Sequence, residues 1–327
     1  MLLQTVLSRA ALLQLAAVAG LAAVPPGGSP PAHATATTPL LARLPPSPRI
    51  VAVGDIHGDA QALIDVLSLA GLYSEAEGRW TGGDATFVQI GDVLDRGDDE
   101  RRVLDLLREL KPQAAAAGGR VVTLLGNHEV LNVLGIMSFV SPRSNGFGDD
   151  RAAAFRPGGP LASELASWPV ACVIGETAFC HAGLSLAEAS RVDATNRAAA
   201  EWLREGHRGT LPPTQLMPTP NGKSPLWWRG YSDPAYEEPP PETCEELCSA
   251  LEVIGAKRLV VGHTPQRRIN CGCAGAVWRV DLGLSRAMGG GVPEVQKREK
   301  ATPPIRPICH TPFPPYISEY INSGARD

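Results

Sequence analysis

The sequence predicts an α/β fold, and three observations carry that prediction. Short apolar runs of β-like composition recur along the chain, each runs into a compact polar motif, and most motifs open onto a stretch of helical periodicity. With 327 residues the chain can bury a sizeable core, as one large domain or two small ones. The formal net charge is −4 and the Lys and Arg residues form no dense run, so nucleic acid is not expected as a partner.

The N-terminal region stands apart from the rest. The first 54 residues hold no Asp or Glu, three arginines (Arg9, Arg43, Arg49) and an apolar run from Ala10 to Val24. That run of about 15 residues falls short of the roughly 20 a membrane-spanning helix needs, so no transmembrane anchor is expected. Residues 1–34 read as a targeting or signal segment. The acid-free composition with Arg, Ser and Thr points to organelle import, into a chloroplast or mitochondrion, and the lack of any Asn-x-Ser/Thr acceptor agrees. A secretory signal ending at Ala32-His33-Ala34 is the alternative. Residues 35–48 form a Pro-rich linker.

The body of the chain spans residues 49–290. Its first unit is the strand-like Arg49–Val53, which enters Gly54-Asp55-Ile56-His57-Gly58-Asp59. A helix follows with Leu63, Val66, Leu67 and Ala70 on one face, closed by Gly71. The second unit is Phe87–Ile90, then the loop Gly91-Asp92-Val93-Leu94-Asp95-Arg96-Gly97, then a helix with Val103, Leu104, Leu107 and Leu110 that should end before Pro112. The third is Arg120–Leu125, entering Gly126-Asn127-His128-Glu129.

Residues 138–169, rich in Gly, Pro and Ser, read as an insertion over one end of the sheet with short helices at best. Strands at 170–174 and 177–180 lead into His181-Ala182-Gly183, and residues 192–204 read as a helix. A Pro-rich excursion (211–241) surrounds Leu226-Trp227-Trp228-Arg229. A helix at 242–254 precedes the strand Arg258–Val261 and Gly262-His263-Thr264, and Ala276–Asp281 looks like one further strand. A charge cluster and several prolines mark residues 291–327 as a loosely attached C-terminal tail.

Seven cysteines are too few and too scattered for a disulfide framework. Cys172 and Cys180 fall within strand-like runs and read as buried apolar residues. Cys244 and Cys248, with Cys271 and Cys273, leave open a four-thiolate zinc site or a redox pair, although the spacings are not those of the usual knuckles.

Five apolar runs thus deliver polar residues at their carboxyl ends: Asp55 and His57, Asp92, Asn127 and His128, His181, and His263. In sheets flanked by helices that edge is where ligands bind. Carboxylates, imidazoles and an amide oxygen, with no thiolate among them, suit Mn, Fe or Zn in a site open to water. Each motif alone has a plain explanation as a turn, a helix cap or a packed histidine. Five coinciding at strand ends point to a metal centre.

GDIHG, GDVLDRG and GNHE in that order, followed by HAG and GHT, resemble the calcineurin-like metallophosphoesterases, specifically their phosphoprotein phosphatase branch. The wider context (GNHEVLNVLG, SPLWWRGY, GAKRLVVGHTPQ, VWRVDLGLS) is similar to the Shewanella-like protein phosphatases over about residues 49–290. HAG and GHT stand where the best-known eukaryotic serine/threonine phosphatases of that branch carry HGG and RGH, and no counterpart of their active-site tyrosine is placed.

The resemblance implies that the α/β chain forms a two-sheet β-sandwich flanked by helices, with a dinuclear metal site at the C-terminal ends of strands. Asp55 and His57 would hold one metal, Asp92 would bridge, and Asn127, His181 and His263 would complete the second. Two metal ions (Mn, Fe or Zn) roughly 3.5–4 Å apart supply a bridging hydroxide for in-line attack on phosphorus. His128 would protonate the leaving oxygen, Asp95 would orient His128, and Arg96 and Arg229 would grip the phosphate.

The implied activity is a phosphomonoesterase acting on phosphoproteins, with preference for serine, threonine or tyrosine left open. A nucleotide or diadenosine polyphosphate hydrolase is the enzymatic alternative. A non-catalytic binding protein of the same fold is the other, disfavoured by the intact ligand set. Serine-hydrolase and P-loop chemistry is excluded: no G-x-S-x-G occurs, and Gly222-Lys223-Ser224 lacks the upstream glycine of a Walker A motif.

Overall fold

A computed structural model describes residues 43–144, 147, 150–207, 209–218, 222–291, 293, 295–297 and 318–321. The expected targeting segment and most of the linker lie outside the described residues. The first half of the chain contains β1 (Arg43–Leu44), β2 (Ile50–Val53), α1 (Ala60–Leu69), β3 (Tyr73–Ser74), β4 (Arg79–Trp80), β5 (Thr86–Gln89), α2 (Glu100–Ala116), β6 (Arg120–Thr123) and α3 (Asn127–Val133). The second half contains α4 (Arg151–Phe155), α5 (Pro160–Leu165), β7 (Ala171–Ile174), β8 (Thr177–Cys180), α6 (Leu186–Ala189), α7 (Val192–Glu205), α8 (Pro241–Ile254), β9 (Arg258–Val261), β10 (Asn270–Gly272), β11 (Val277–Arg279), β12 (Val295–Lys297) and β13 (Ser318–Ile321).

Two sheets carry the fold. One has the order β12-β13-β2-β5-β6, the other β1-β7-β8-β9-β11-β10, and β3 and β4 make a small separate hairpin. β2, β5 and β6 are mutually parallel, with Ala52, Val88 and Val122 in register. Their helical crossovers cover a face, which is why β2 and β5 are buried along their whole length rather than alternating.

Period two shows instead in which core each side chain joins. Cys172, Ile174, Phe179 and Val260 share one core with Val51, Val53 and Phe87 of the other sheet. Val173, Ala178, Cys180, Leu259 and Val261 point the opposite way, into a second core with Leu247, Leu251 and Ile254 of α8. The result is a sandwich of two sheets with helices outside it. Cys172 and Cys180 are buried as expected, and burial pushes both thiols up to about 12.

Two expectations are corrected, for the end of α2 and for the cysteines, and two stretches outside the expected domain contribute strands. α2 does not stop before Pro112 but continues to Ala116. Pro112 sits on the exposed face while Ala114 returns to the core, so the packed stripe outlasts one missing backbone hydrogen bond. Arg43–Leu44, within the expected linker, pairs with β7 in parallel. The described residues of the C-terminal tail include β12 and β13, and β13 lines up in parallel on β2, whose outer edge would otherwise present unpaired backbone groups. Finally, Cys244 and Cys273 are joined in a disulfide that ties α8 to the turn after β10. Cys248 is disulfide-bonded as well, so three of the four thiolates proposed for a zinc site are consumed.

Among the described residues no helix is long and apolar enough to cross a membrane.

Candidate metal centre

The chain leaves β2 into Asp55 and His57, β5 into Asp92, β6 into Asn127 and His128 at the start of α3, β8 into His181, and β9 into His263. These seven side chains meet, and none is more than 6% exposed. Among the described residues, His57, Asp92 and His128 form one group of donor atoms lying within 4.8 Å of one another, and Asp92, His181 and His263 form a second.

Asp92 stands between two donor sets. Its Oδ2 lies 3.8 Å from Nε2 of His57, and Oδ2 of Asp55 lies 3.8 Å from that same nitrogen. Its Oδ1 lies 3.4 Å from Nε2 of His181, which also faces Oδ1 of Asn127 at 2.9 Å and Nδ1 of His263 at 3.1 Å. One carboxylate therefore offers an oxygen to each set.

The imidazoles are aimed by their far nitrogens. Nδ1 of His57 donates to the Leu94 carbonyl at 2.9 Å, and Nδ1 of His181 donates to the Ile90 carbonyl at 2.8 Å. Each Nε2 is left with its lone pair directed into the cluster, the orientation a metal ligand requires. At His181 that lone pair meets those of an amide oxygen and a second imidazole. Only a proton or a cation between them removes the repulsion.

Without a cation His181 keeps a proton: burial opposes the charge, but Asp92 and Asp55 outweigh it and push the pKa up to about 10. Burial and the charge of His128 bring His57 down to about 3. Burial, Arg229 and His181 hold His263 well below its usual range, so both remain neutral and able to ligate at neutral pH. Burial, Asp281 and Asp92 raise Asp55. Crowded buried carboxylates and imidazole lone pairs directed into the cluster, all N and O donors, fit divalent metal ions.

The backbone at the site is strained, and its bracing is visible. His57, Asp92, Asp95, Arg96 and His263 adopt positive φ, which costs L-residues roughly 1–2 kcal/mol each. The Glu129 carboxylate accepts from the backbone N–H groups of Asp92, Val93, Leu94 and Gly126, at 2.8–3.1 Å. It thus holds the Asp92 loop and the start of α3 against each other. Gly126 has no alternative, because a Cβ there would fall on the Asp92 carboxylate. Glu129→Gln keeps the shape but replaces one acceptor oxygen by an N–H₂, which two of the backbone N–H groups would then face. It is expected to weaken Mn²⁺ binding by about 10- to 100-fold, the scale of lost outer-shell support, as titration calorimetry would read.

His128 is held as a dyad. Its Nδ1 lies 2.6 Å from Oδ2 of Asp95, and its Nε2 lies 3.8 Å from Oδ2 of Asp92. Burial works against its charge, yet Asp92 and Asp95 together raise its pKa. Asp95 itself is fully buried behind it.

Arg96 and Arg229 line the same pocket as Asp55, His57, Asp92 and His263. Nη1 of Arg229 donates to the His263 carbonyl and to Oγ1 of Thr264. The Arg96 guanidinium lies over the Phe139 ring at 5.3 Å, and its buried Nε has no hydrogen-bond partner among the described residues.

All ten residues singled out from the sequence converge, although Asp95 and His181 sit behind the pocket wall rather than on it. Sequence reasoning missed Glu129, whose signal was its place three residues after Gly126, where a side chain can reach back to the helix start. It also missed Glu100, Asn132 and Arg151, which have no local signature, and the apolar rim formed by Phe139, Trp227 and Met288.

Comparison with known proteins identifies the family. The profile of the calcineurin-like phosphoesterase family matches residues 48–267. Shewanella-like protein phosphatase 2 of Arabidopsis thaliana is 32% identical, over 76% of this chain and 74% of its own length. Shewanella-like protein phosphatase 1 of Plasmodium berghei is 30% identical, over 75% and 69% respectively. The crystal structure of a cold-active protein-tyrosine phosphatase from a psychrophilic Shewanella superposes with a TM-score of 0.59 at 26% identity, covering 78% of this chain and 77% of that one.

Proposed function

The chain belongs to the calcineurin-like phosphoesterase family and is a metal-dependent phosphatase, and on that premise we propose that it removes phosphate from phosphoproteins at the Asp92 centre. The observation that carries the reading is Asp92 itself, with one oxygen facing the Asp55–His57 set and the other facing the Asn127–His181–His263 set. A pair of divalent ions bound there would lower the pKa of water and polarise the phosphoryl group.

This chain's own residues would do the rest. Arg96, with its unpaired Nε, and Arg229 would bind the non-bridging phosphate oxygens from the pocket wall. His128 would hold a proton on Nε2 and pass it to the leaving oxygen, while Asp95 fixes the ring through Nδ1 and stabilises its charge. Phe139 and Trp227 would give the leaving group an apolar wall, which suits an aryl as well as an alkyl side chain.

The test is a panel of phosphoserine, phosphothreonine and phosphotyrosine peptides against diadenosine tetraphosphate and ATP, each at equal concentration with the Mn²⁺-reconstituted protein. The expected result is kcat/KM at least about tenfold higher for some phosphopeptide class, a preference of about 1.4 kcal/mol in transition-state binding. Higher values for the nucleotides would overturn the protein-phosphatase reading. The organelle destination expected from the N-terminal segment remains a proposal, tested by imaging the full chain fused to a fluorescent protein.

A further inference from the structure

Arg151 opens α4, inside the segment 138–169 that reads in sequence as an insertion over one end of the sheet. Its side chain is only 11% exposed and packs against both the Phe147 and Phe155 rings, at 5.1 and 5.2 Å, which also touch each other edge-on. Its Nη1 donates to Oε2 of Glu100 at 2.6 Å and its Nη2 donates to Oε1 at 2.7 Å, a two-pronged grip on a carboxylate with no exposure at all. Nε and Nη2 also donate to Oδ1 of Asn132, at 2.9 and 2.7 Å. Nη2 reaches Oδ1 of Asp95 at 3.3 Å.

The two residues that Arg151 holds are the two that hold Asp95. Oε1 of Glu100 accepts from the Asp95 backbone N–H at 2.7 Å, where Asp95 sits at φ +70°. Nδ2 of Asn132 donates to Oδ1 of Asp95 at 2.9 Å and to the His128 carbonyl at 2.9 Å. An amide has two near-equivalent orientations, and the guanidinium decides between them. With Arg151 present, Oδ1 of Asn132 must face the arginine, so Nδ2 must face Asp95. One carboxylate oxygen is then occupied and the other is left for Nδ1 of His128.

We propose that Arg151 is a positioning residue for proton delivery by His128: it fixes the Asn132 amide and the Glu100 carboxylate, and through them the Asp95 oxygen that aligns the imidazole. The inference rests on the reading of His128 as the proton donor. Arg151 touches neither substrate nor metal ligand, so its loss changes how well a proton is aimed. A leaving oxygen that needs the proton feels the loss, and one that leaves as a stable anion does not.

The experiment uses the full chain with Mn²⁺, comparing a phosphoserine peptide, whose alkoxide must be protonated, with p-nitrophenyl phosphate, whose phenolate need not be. For Arg151→Gln the expected result is a kcat about tenfold lower on the peptide, part of the 10²–10⁴ span of general acid catalysis, with p-nitrophenyl phosphate within about threefold and KM unchanged for both. Arg151→Lys keeps the charge opposite Glu100 but cannot fork to Asn132, and should fall between Gln and wild type. It also serves if Arg151→Gln does not fold.

A second readout needs no metal and no turnover. The Nδ1 proton of His128, a far-downfield NMR signal assigned by its absence in His128→Asn, should shift or broaden in both Arg151 variants. Equal loss on the two substrates, or an unchanged downfield proton, would overturn the proposal. A wild type without phosphatase activity would instead sink the functional reading, and the NMR signal would still decide whether Arg151 sets the His128–Asp95 geometry.

Discussion

Asp92→Asn is expected to lower kcat by at least about a hundredfold, the scale of losing a preorganised charge aimed at the reacting phosphate, and to leave the protein deficient in metal. The substitution barely changes shape, so the effect isolates charge and acceptor number. Oδ1 of Asp92 accepts from the His128 backbone N–H at 2.9 Å and stands 3.4 Å from His181, and Oδ2 stands 3.8 Å from both His57 and His128. An asparagine keeps one acceptor and turns an N–H₂ towards one of the two donor sets. That set then faces a donor where it needs a lone pair. Metal per chain should fall together with kcat. Wild-type turnover with full metal content would show that Asp92 is not the residue on which the centre is built.

His128→Asn is expected to lower kcat on phosphoserine peptides by about 10²–10³, with a smaller loss on p-nitrophenyl phosphate, because the general acid matters most for the poorest leaving group. Metal content should stay near that of wild type, since Asp55, His57, Asp92, Asn127, His181 and His263 remain. This separates the two variants: one loses the centre, the other keeps it and loses the proton. The geometry behind the expectation is the 2.6 Å contact between Nδ1 of His128 and Asp95, which leaves Nε2 at the pocket. Equal losses on the two substrates would place His128 among the metal ligands instead, a role its 3.8 Å distance from Asp92 Oδ2 also permits.

Much of the site was legible because its residues are local to the motifs that announce them. Asp55, His57, Asp92 and His263 stand directly after apolar strands, in turns tight enough to force positive φ on three of the four. Such turns show in sequence as glycine beside a polar residue. The bracing was not legible because it is made at a distance. Arg151 lies 56 residues from Asp95 and 51 from Glu100, and nothing in α4 distinguishes it from any surface arginine.

The fold divides along the same line. The strands that carry the site and the longer helices followed from periodicity, the short strands β1, β3, β4, β10, β12 and β13 did not, and neither did the assignment of β7, β8, β9 and β11 to a second sheet, since a run buried on both faces carries no mark of its neighbours. Pro112 misled because a local rule for ending helices was outweighed by packing beyond it. The Cys244–Cys273 pairing depends on α8 and the β10–β11 turn meeting in space, which spacing alone does not encode.

The most direct test of the whole account is anomalous X-ray scattering from crystals of the chain grown with Mn²⁺. Two peaks flanking Asp92 are expected, one within coordination distance of Asp55 and His57, the other of Asn127, His181 and His263. Peaks elsewhere, or none between those two sets of side chains, would contradict it.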